Sequence, residues 1–200
     1  MTRVIAGVAR GRRLAVPAGE GTRPTSDRAR EALFSTLESL VRAWVGRRVL
    51  DLYAGSGAVG LEALSRGAAH ALLVESDPRA VRTLVANIET LGLPGAQVRR
   101  GRVERVAADG LPGPAYDLLF ADPPYDLGDD ALAAVLRDLR PALADDAVVA
   151  LERPTRGGTW AWPEGFAGLR SRRYGEATLW YGRATPAPPA RTTGTEESTA

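Results

Sequence analysis

Short apolar runs alternate with helical patterns along most of the chain, and this alternation predicts the fold. Five segments of strand length, most of them apolar, are predicted near residues 47–54, 70–75, 97–101, 117–122 and 146–152. Between and after them, apolar residues recur at helical spacing near 58–66, 78–92, 103–108 and 129–140. Strands that alternate with helices imply a parallel sheet covered by helices on both faces, which is an α/β architecture.

The two ends of the chain depart from this alternation. Near the C-terminus, Leu169–Tyr174 and Ala177–Tyr181 are joined by Gly175-Glu176 and predict a hairpin that adds an antiparallel edge strand to the sheet. Near the N-terminus, alternating apolar residues on both sides of Arg10-Gly11 predict a second, shorter hairpin. A helix is predicted to follow it, with apolar residues at Ala29, Leu33, Leu37, Leu40, Val41 and Trp44.

The most informative motif is Asp122-Pro123-Pro124-Tyr125, directly after the apolar run at 118–121. Proline ends strand pairing, so the motif is expected at the carboxyl end of a buried parallel strand, where open α/β sheets bind ligands. A carboxylate beside an aromatic ring on a rigid loop suits the exocyclic amino group of a nucleobase. The alternative is a simple turn in which Asp122 accepts local backbone N–H groups.

A glycine loop, Gly55-Ser56-Gly57-Ala58-Val59-Gly60, follows the apolar strand that contains Asp51. It matches the dinucleotide fingerprint G-x-G-x-x-G, with Glu75 about twenty residues beyond its first glycine. A carboxylate at position 51 would repel a pyrophosphate but favour the ammonium and sulfonium groups of S-adenosyl-L-methionine. The loop therefore favours S-adenosyl-L-methionine, and a nicotinamide cofactor stays open as the alternative.

Four segments together resemble the bacterial 16S rRNA guanine-N2 methyltransferase family. They are residues 51–57, 61–68, 74–77 and 122–125, and the leading segments 3–7, 10–14 and 22–31 are similar to the start of that family. The resemblance runs from about residue 3 to residue 182, and the Thr-Arg-Pro-Thr stretch is its most specific marker. It implies a Rossmann-like methyltransferase fold with a mostly parallel seven-stranded sheet and an antiparallel edge strand.

The resemblance implies that the enzyme uses S-adenosyl-L-methionine to methylate the exocyclic N2 of a guanine in 16S rRNA. The target nucleotide that the family resemblance implies is guanine-966. The resemblance also implies that the protein acts on 16S rRNA within an assembling 30S subunit, and that it is a monomer that binds no metal. Methylation of adenine N6 or cytosine N4 in DNA or other RNA would use the same Asp-Pro-Pro-Tyr chemistry. An NAD-dependent oxidoreductase is the more distant alternative.

Candidate site residues follow from these motifs. Asp122 and the carbonyl of Pro123 are expected to accept the two amino hydrogens of the base, while Tyr125 stacks on its ring. Residues 99–103 lack the Asp or Asn that commonly binds adenine, so backbone groups near Val103, or stacking of Arg102, are expected there. The full expected cofactor set is Asp51, Tyr53, Gly55, Gly57, Glu75, Arg102 and Val103, with Glu75 on the ribose hydroxyls.

Positive charge is concentrated at the start of the chain. Residues 1–30 hold seven arginines against Glu20 and Asp27, a formal +5, whereas the whole chain carries +2, which leaves −3 for residues 31–200. A basic segment on a near-neutral domain indicates a polyanionic partner, and a solvated arm is the alternative. The expected RNA contacts are Arg10, Arg12, Arg13, Arg23, Arg28 and Arg30.

Composition narrows the class of protein further. The chain has no cysteine and a single histidine, His70, so a disulfide, a thiolate site and a histidine metal cluster are not expected. There is no run of eighteen apolar residues and no charged-then-apolar leader at Met1, so a cytoplasmic protein is expected. The expected organisation is a basic hairpin and helix at 1–45, the methyltransferase domain at 46–183, and a disordered tail rich in Pro, Thr and Ala at 184–200.

Overall fold

The computed structural model describes residues 2–17 and 27–186, except for the side chains of residues 27 and 28. A small antiparallel hairpin is formed by β1 (Thr2–Arg3) and β2 (Arg13–Leu14). The larger sheet contains β3 (Arg48–Leu52), β4 (His70–Glu75), β5 (Ala96–Arg100), β6 (Tyr116–Ala121), β7 (Leu143–Pro154), β8 (Phe166–Tyr174) and β9 (Ala177–Ala184). The helices are α1 (Asp27–Val41), α2 (Ala58–Ser65), α3 (Pro78–Leu91), α4 (Val103–Asp109) and α5 (Asp129–Leu139).

The seven strands lie in the order β5-β4-β3-β6-β7-β9-β8, and the first five are parallel. This confirms the predicted α/β architecture and the predicted C-terminal hairpin. The hairpin is arranged differently in one respect, because β9 pairs antiparallel with both β7 and β8. The antiparallel strand therefore lies one place in from the edge. Its burial explains the order, since Leu179 and Tyr181 of β9 are almost fully buried while most of β8 is exposed.

Alternate residues of the central strands feed two apolar cores, one on each face of the sheet. Val49 and Leu118 contribute to the core covered by α1, α2 and α3, whereas Leu50 and Leu119 contribute to the core covered by α4 and α5. Val4 and Leu14 of the N-terminal hairpin belong to the first core. The described part of the N-terminal segment, expected as an extension, thus shares a core with the larger sheet.

The end of the described chain corrects the boundary of the expected tail. Ala184 is buried at the end of β9, and the N–H of Thr185 donates to the carbonyl of Gly165 at 2.9 Å. Residues 184 and 185 are therefore ordered by the sheet, and the expectation of disorder from residue 184 is wrong for them. The rest of the expected tail, from residue 187, lies outside the described residues.

The topology places one crevice at the centre of the sheet. β3 and β6 are neighbours, but the strands that pair with their other sides, β4 and β7, extend the sheet in opposite directions. Leu52 and Ala121, the last residues of β3 and β6, lie in register. Open α/β sheets bind ligands beyond the carboxyl ends of strands at such a switch point. In the described ranges, no helix is long and apolar enough to span a bilayer.

Candidate active site

The glycine loop turns the chain from β3 into α2. Gly57 has φ 79° and directly precedes the helix. A Cβ atom at this position would lie 2.3 Å from Cδ1 of Leu84, so both the backbone angle and the space require glycine. No atom lies within 4 Å of the position that a Cβ would take at Gly55, so this part of the loop faces open space.

Asp51 lies beneath this loop. Its side chain is 1% exposed, and its Oδ2 accepts the N–H of Gly60 at 2.8 Å. Burial raises the pKa of Asp51 to about 7; the Gly60 hydrogen bond opposes this rise, and the nearby charge of Glu75 adds to it. A cation bound above the loop would favour the ionised form of the Asp51 carboxyl. Interaction of Asp51 with the cofactor stays a prediction.

Glu75 holds the glycine loop from the end of β4. Its Oε2 accepts the N–H of Gly55 at 2.8 Å, and its Oε1 accepts the N–H groups of Ser76 and Asp77 at 2.7 and 2.8 Å. An ionised carboxylate offers about four acceptor sites, so three bonds leave about one for a ribose hydroxyl. The sequence placed Glu75 correctly beside the loop but did not reveal this structural role.

Tyr53, Arg102 and Val103 meet near the start of α4. The Tyr53 hydroxyl donates to Oε1 of Glu104 at 3.0 Å, and burial, followed by the charge of Glu104, raises the pKa of Tyr53. The Arg102 side chain is 79% exposed and lies 3.4 Å from Oε2 of Glu104. Val103 is buried in the second core. Its side chain is therefore unavailable to adenine, and only its backbone can take the role that the sequence suggested.

The Asp-Pro-Pro-Tyr loop begins where β6 ends, as predicted. Burial, then the charges of Glu152 and Asp51, raise the pKa of Asp122 well above its usual range. In the described residues, no N–H group donates to the Asp122 carboxylate, so the alternative of a capped turn is wrong. Tyr125 is 61% exposed, and its ring is open to a stacking partner.

Arg153 fixes the far end of this loop, and sequence reasoning missed it. Its Nη2 donates to the carbonyl of Leu127 and to Oδ1 of Asp129, both at 2.7 Å. The residue is 9% exposed near the end of β7, so it ties that strand to the loop that carries Asp122. An arginine near a strand end carries no sequence signal for this contact.

The arginines of the N-terminal segment differ in whether their side chains have hydrogen-bond partners within the fold, and among them Arg10, Arg12 and Arg13 are all exposed. Arg30 is buried, its Nη1 donates to Oγ1 of Thr2 at 2.8 Å and its Nη2 donates to the carbonyl of Arg3, so the expected RNA contact of Arg30 is wrong. Arg12 donates to the Leu91 carbonyl at 2.7 Å and also to the Thr90 carbonyl, which satisfies the end of α3. Arg10 and Arg13 are exposed, while Arg23 and the side chain of Arg28 lie outside the described residues.

The segment 61–68 docks the hairpin loop, a role that the sequence did not indicate. Glu62 is fully buried and accepts the N–H groups of Ile5 and Ala6 at 2.7 and 2.9 Å. The Ser65 hydroxyl donates to the Ala6 carbonyl at 2.6 Å and accepts the N–H of Ala9 at 2.9 Å. Glu62 and Ser65, both buried on α2, thus supply the hydrogen bonds that water would otherwise make to the backbone of this loop.

Asn87 links the hairpin to the glycine loop. Its Oδ1 accepts the N–H of Ala15 at 2.8 Å, while its Nδ2 donates to the Ala15 carbonyl at 3.0 Å and to the Ser56 carbonyl at 2.9 Å. Asn87 is 3% exposed, so these bonds are made away from water. The N-terminal segment is therefore directly connected to the loop expected to bind the cofactor.

Comparisons with known proteins agree with this architecture. A family model described as conserved hypothetical protein 95 matches residues 2–183. Ribosomal RNA small subunit methyltransferase D of Escherichia coli strain K12 is 40% identical over 157 residues, which cover 78% of this chain and 76% of the relative. The solved structure of a hypothetical protein from Thermus thermophilus has a TM-score of 0.72 at 35% identity, covering 90% of this chain and 98% of that chain.

A more distant likeness concerns the fold alone. The rRNA methyltransferase AviRa of Streptomyces viridochromogenes has a TM-score of 0.65 at 16% identity, covering 83% of this chain and 88% of that chain. The predicted methyltransferase fold is thereby confirmed. Since the family model spans nearly all of the hairpin, the helices and the seven-stranded sheet, the chain belongs to the conserved hypothetical protein 95 family.

Proposed function

We propose that this protein transfers a methyl group from S-adenosyl-L-methionine to the exocyclic N2 of a guanine in 16S rRNA. The observation that carries the proposal is the Asp122 carboxylate, which lies at the switch point beside the glycine loop and accepts no N–H group of the described protein. Tyr125 follows it with an exposed ring. The family relationship adds the substrate class, because the Escherichia coli relative is named for the RNA of the small ribosomal subunit.

The residues around the glycine loop fit S-adenosyl-L-methionine, whose sulfonium supplies the electrophilic methyl group. Burial and the charge of Glu152 raise the pKa of Asp122, and the charge of Asp51 adds to this rise, so the carboxylates of Asp51 and Asp122 act on the same region. A cation between them relieves this repulsion, whereas a pyrophosphate increases it. The remaining acceptor site of Glu75 suits a ribose hydroxyl. These features favour a cationic cofactor over a dinucleotide.

The proposed chemistry is direct transfer. The lone pair of guanine N2 is delocalised into the ring, and acceptance of its two hydrogens by Asp122 and by the Pro123 carbonyl makes it available. Tyr125 holds the base flat by stacking. As the N–C bond forms and the S–C bond breaks, positive charge develops on N2 and the nearby carboxylate stabilises it. The N2 proton is then lost, and the raised pKa of Asp122 suits it to receive that proton.

The proposed substrate is an unpaired or flipped guanine, since a duplex conceals its amino edge. Arg10 and Arg13 stay in the proposed RNA-binding set because both are exposed and, unlike Arg12, form no side-chain hydrogen bond within the described residues. We place the reaction in the cytoplasm, on 16S rRNA within an assembling 30S subunit, with the protein acting as a monomer. No step requires a metal, and the described ranges contain no group of three or more side chains suited to hold one.

Methylation assays test this proposal directly. Purified protein and radiolabelled S-adenosyl-L-methionine are incubated with 30S particles lacking the modification, with deproteinised 16S rRNA, and with duplex DNA. We expect N2-methylguanine in rRNA and no label in DNA. Label on adenine N6 or cytosine N4 would overturn the assignment in favour of the related amino-methyltransferase chemistry.

Calorimetry with S-adenosylhomocysteine and with NAD tests the cofactor separately. We expect binding of S-adenosylhomocysteine alone, because Asp51 and Asp122 disfavour the NAD pyrophosphate. Binding of NAD without S-adenosylhomocysteine would contradict the cofactor assignment. This measurement needs no RNA, so it also separates a wrong cofactor from a wrong RNA substrate.

A further inference from the structure

An arginine-rich strand lies at the edge of the sheet. Seven consecutive residues of β8, 167–173, are exposed, and they include Arg170, Arg172 and Arg173. β8 contains no acidic residue. Its only partner in the sheet is β9, so its outer edge is unpaired in the described part of the chain. The strand therefore presents three positive charges within four residues on an accessible surface.

The sheet register aligns this surface with the proposed catalytic carboxylate. β6 ends opposite Leu151, and Asp122 is the next residue. One step further along β7, Glu152 pairs with Leu179, which pairs with Arg172. Arg172 is therefore level with Asp122 at the same edge of the sheet. Three interstrand spacings separate them, roughly 14 Å, a distance that nucleotides adjoining a bound base can span.

The three arginines are not neutralised within the described protein. None forms an ion pair there, in contrast to Arg47, Arg66, Arg102, Arg105, Arg140 and Arg153. Arg170 donates to the Ser39 hydroxyl at 2.9 Å, and Arg173 donates to the Gly175 carbonyl at 3.1 Å. These neutral partners orient the guanidinium groups of Arg170 and Arg173 but do not neutralise their positive charge. Such a cluster attracts a polyanion.

Two of the arginines face the side of the sheet that carries the N-terminal hairpin. Arg170 and Arg172 are register partners of Tyr181 and Leu179, whose side chains belong to the core beneath α1, α2 and α3. Directly paired residues of neighbouring strands share a face. Arg170 and Arg172 are thus on the same face of the sheet as the hairpin.

We propose that β8 binds the phosphate backbone of the RNA beside the target nucleotide, through Arg170, Arg172 and Arg173. This inference rests on the proposed rRNA function and adds a second contact surface to it. The RNA is then held by the hairpin and by β8, the latter beside the base that enters the site. The competing role is protection of the sheet edge, because charged residues on edge strands also prevent pairing between molecules.

The test compares two triple variants with the same change in net charge. R170Q/R172Q/R173Q removes the β8 charges, and R42Q/R82Q/R137Q removes three exposed arginines that form no ion pair in the described ranges and lie outside β8. Binding of unmodified 16S rRNA is measured across salt concentrations, together with KM and kcat for methylation. The β8 variant is expected to lower the log–log salt slope by about two units, and the control by far less, because only the former loses phosphate contacts.

Three other outcomes distinguish RNA binding by β8 from edge protection and from failure of the proposed function. Equal salt slopes in the two triple variants would overturn the β8 surface, and self-association of the β8 variant with an unchanged slope would assign edge protection instead. If the triple variant does not fold, the single variant R172Q is used, with an expected slope change of about 0.7–0.9. Failure of the wild type to methylate rRNA would refute the proposed function, whereas methylation with an unaltered slope refutes only this inference.

Discussion

Oε2 of Glu75 accepts the backbone N–H of Gly55 at 2.8 Å, so an acid at the end of β4 holds the loop at the end of β3. Oε1 of the same residue accepts the N–H groups of Ser76 and Asp77. One side chain therefore shapes the glycine loop and retains about one acceptor site for the cofactor ribose. The loop and the cofactor contact consequently depend on the same carboxylate.

Glu75→Gln is expected to weaken cofactor binding. The amide nitrogen that replaces one oxygen must face a backbone N–H donor, so at least one bond to the loop or ribose is lost. Loss of a charged hydrogen bond predicts a decrease of about 1.5–3 kcal/mol in the binding free energy of S-adenosylhomocysteine, measured by calorimetry. Glu89→Gln, an exposed site on α3, is the matched control. Wild-type affinity in Glu75→Gln would place the ribose contact elsewhere.

The strand-end positions of Asp51, Glu75 and Asp122 could be predicted because local patterns set them. Each lies at or near the end of an apolar run whose length and flanking residues define a parallel strand. Parallel strands bring their carboxyl ends to one edge, so the sequence alone assembles these acids. The raised pKa values of Asp51 and Asp122 arise from burial in the folded protein and do not follow from the pattern.

The roles of the N-terminal arginines could not be predicted, because charge counting does not reveal distant acceptors. Arg12 reaches the carbonyl of Leu91, 79 residues away in sequence. Arg30 is enclosed when α1 packs beside β1. Both guanidinium groups satisfy backbone carbonyls that only the folded chain brings near. The contacts of Asn87 and Arg153 could not be predicted for the same reason, because their carbonyl partners are distant in the sequence.

Asp51→Asn is expected to stabilise the fold at neutral and alkaline pH. Because burial raises the pKa of Asp51 to about 7, the folded state binds its proton more tightly than the unfolded state does. The stability contributed by this proton is fully present below the ordinary pKa near 3.8 and is lost as the pH rises through about 7. The neutral amide removes this penalty and can still accept the Gly60 N–H.

Chemical unfolding of both proteins from pH 4 to pH 8 measures this effect. The variant should gain over the wild type as the pH rises, by on the order of 4 kcal/mol at pH 8, with little difference at pH 4. Groups that do not interact with Asp51 cancel in the difference between the two proteins, and both are compared in an Asp122→Asn background because the charge of Asp51, after burial and Glu152, contributes to the raised pKa of Asp122. S-Adenosylhomocysteine affinity should fall in the variant, because the carboxylate that favours its ammonium is gone. A stability difference independent of pH would show that the Asp51 carboxyl does not titrate as inferred.

Asp122 is expected to control the acidic limb of the pH profile. The ionised form accepts the amino hydrogens, so kcat should fall as the pH decreases through the raised pKa of this residue. Asp122→Asn should remove the limb and lower kcat by about two to three orders of magnitude, with cofactor affinity nearly unchanged. Saturating S-adenosyl-L-methionine in these assays removes the contribution of Asp51 to cofactor binding. Loss of cofactor binding with retained turnover would instead make Asp122 a cofactor ligand.

Glu152→Gln tests the cause of that raised pKa. The charge of Glu152 is the second largest contribution after burial, so its removal should lower the pKa of Asp122. The acidic limb of kcat should therefore move to lower pH, while the rate on the alkaline plateau stays near that of the wild type. A limb that stays in place would show that the charge of Glu152 does not contribute to the pKa.

Among the exposed arginines of the hairpin, Arg12 has carbonyl partners and Arg10 and Arg13 do not, so substitutions are expected to have different effects. Arg10 and Arg13 are exposed, and R10A/R13A should reduce the log–log salt slope of rRNA binding by about 1.5 units, with an unchanged melting temperature. Arg12 donates to two carbonyls at the end of α3, so R12A should lower the free energy of unfolding by about 1–3 kcal/mol. Salt titrations and thermal unfolding of both variants distinguish these effects. A salt slope that changes in R12A but not in R10A/R13A would mean that Arg12 exchanges its carbonyl partners for phosphate when RNA binds, and that the hairpin moves from α3 in the complex.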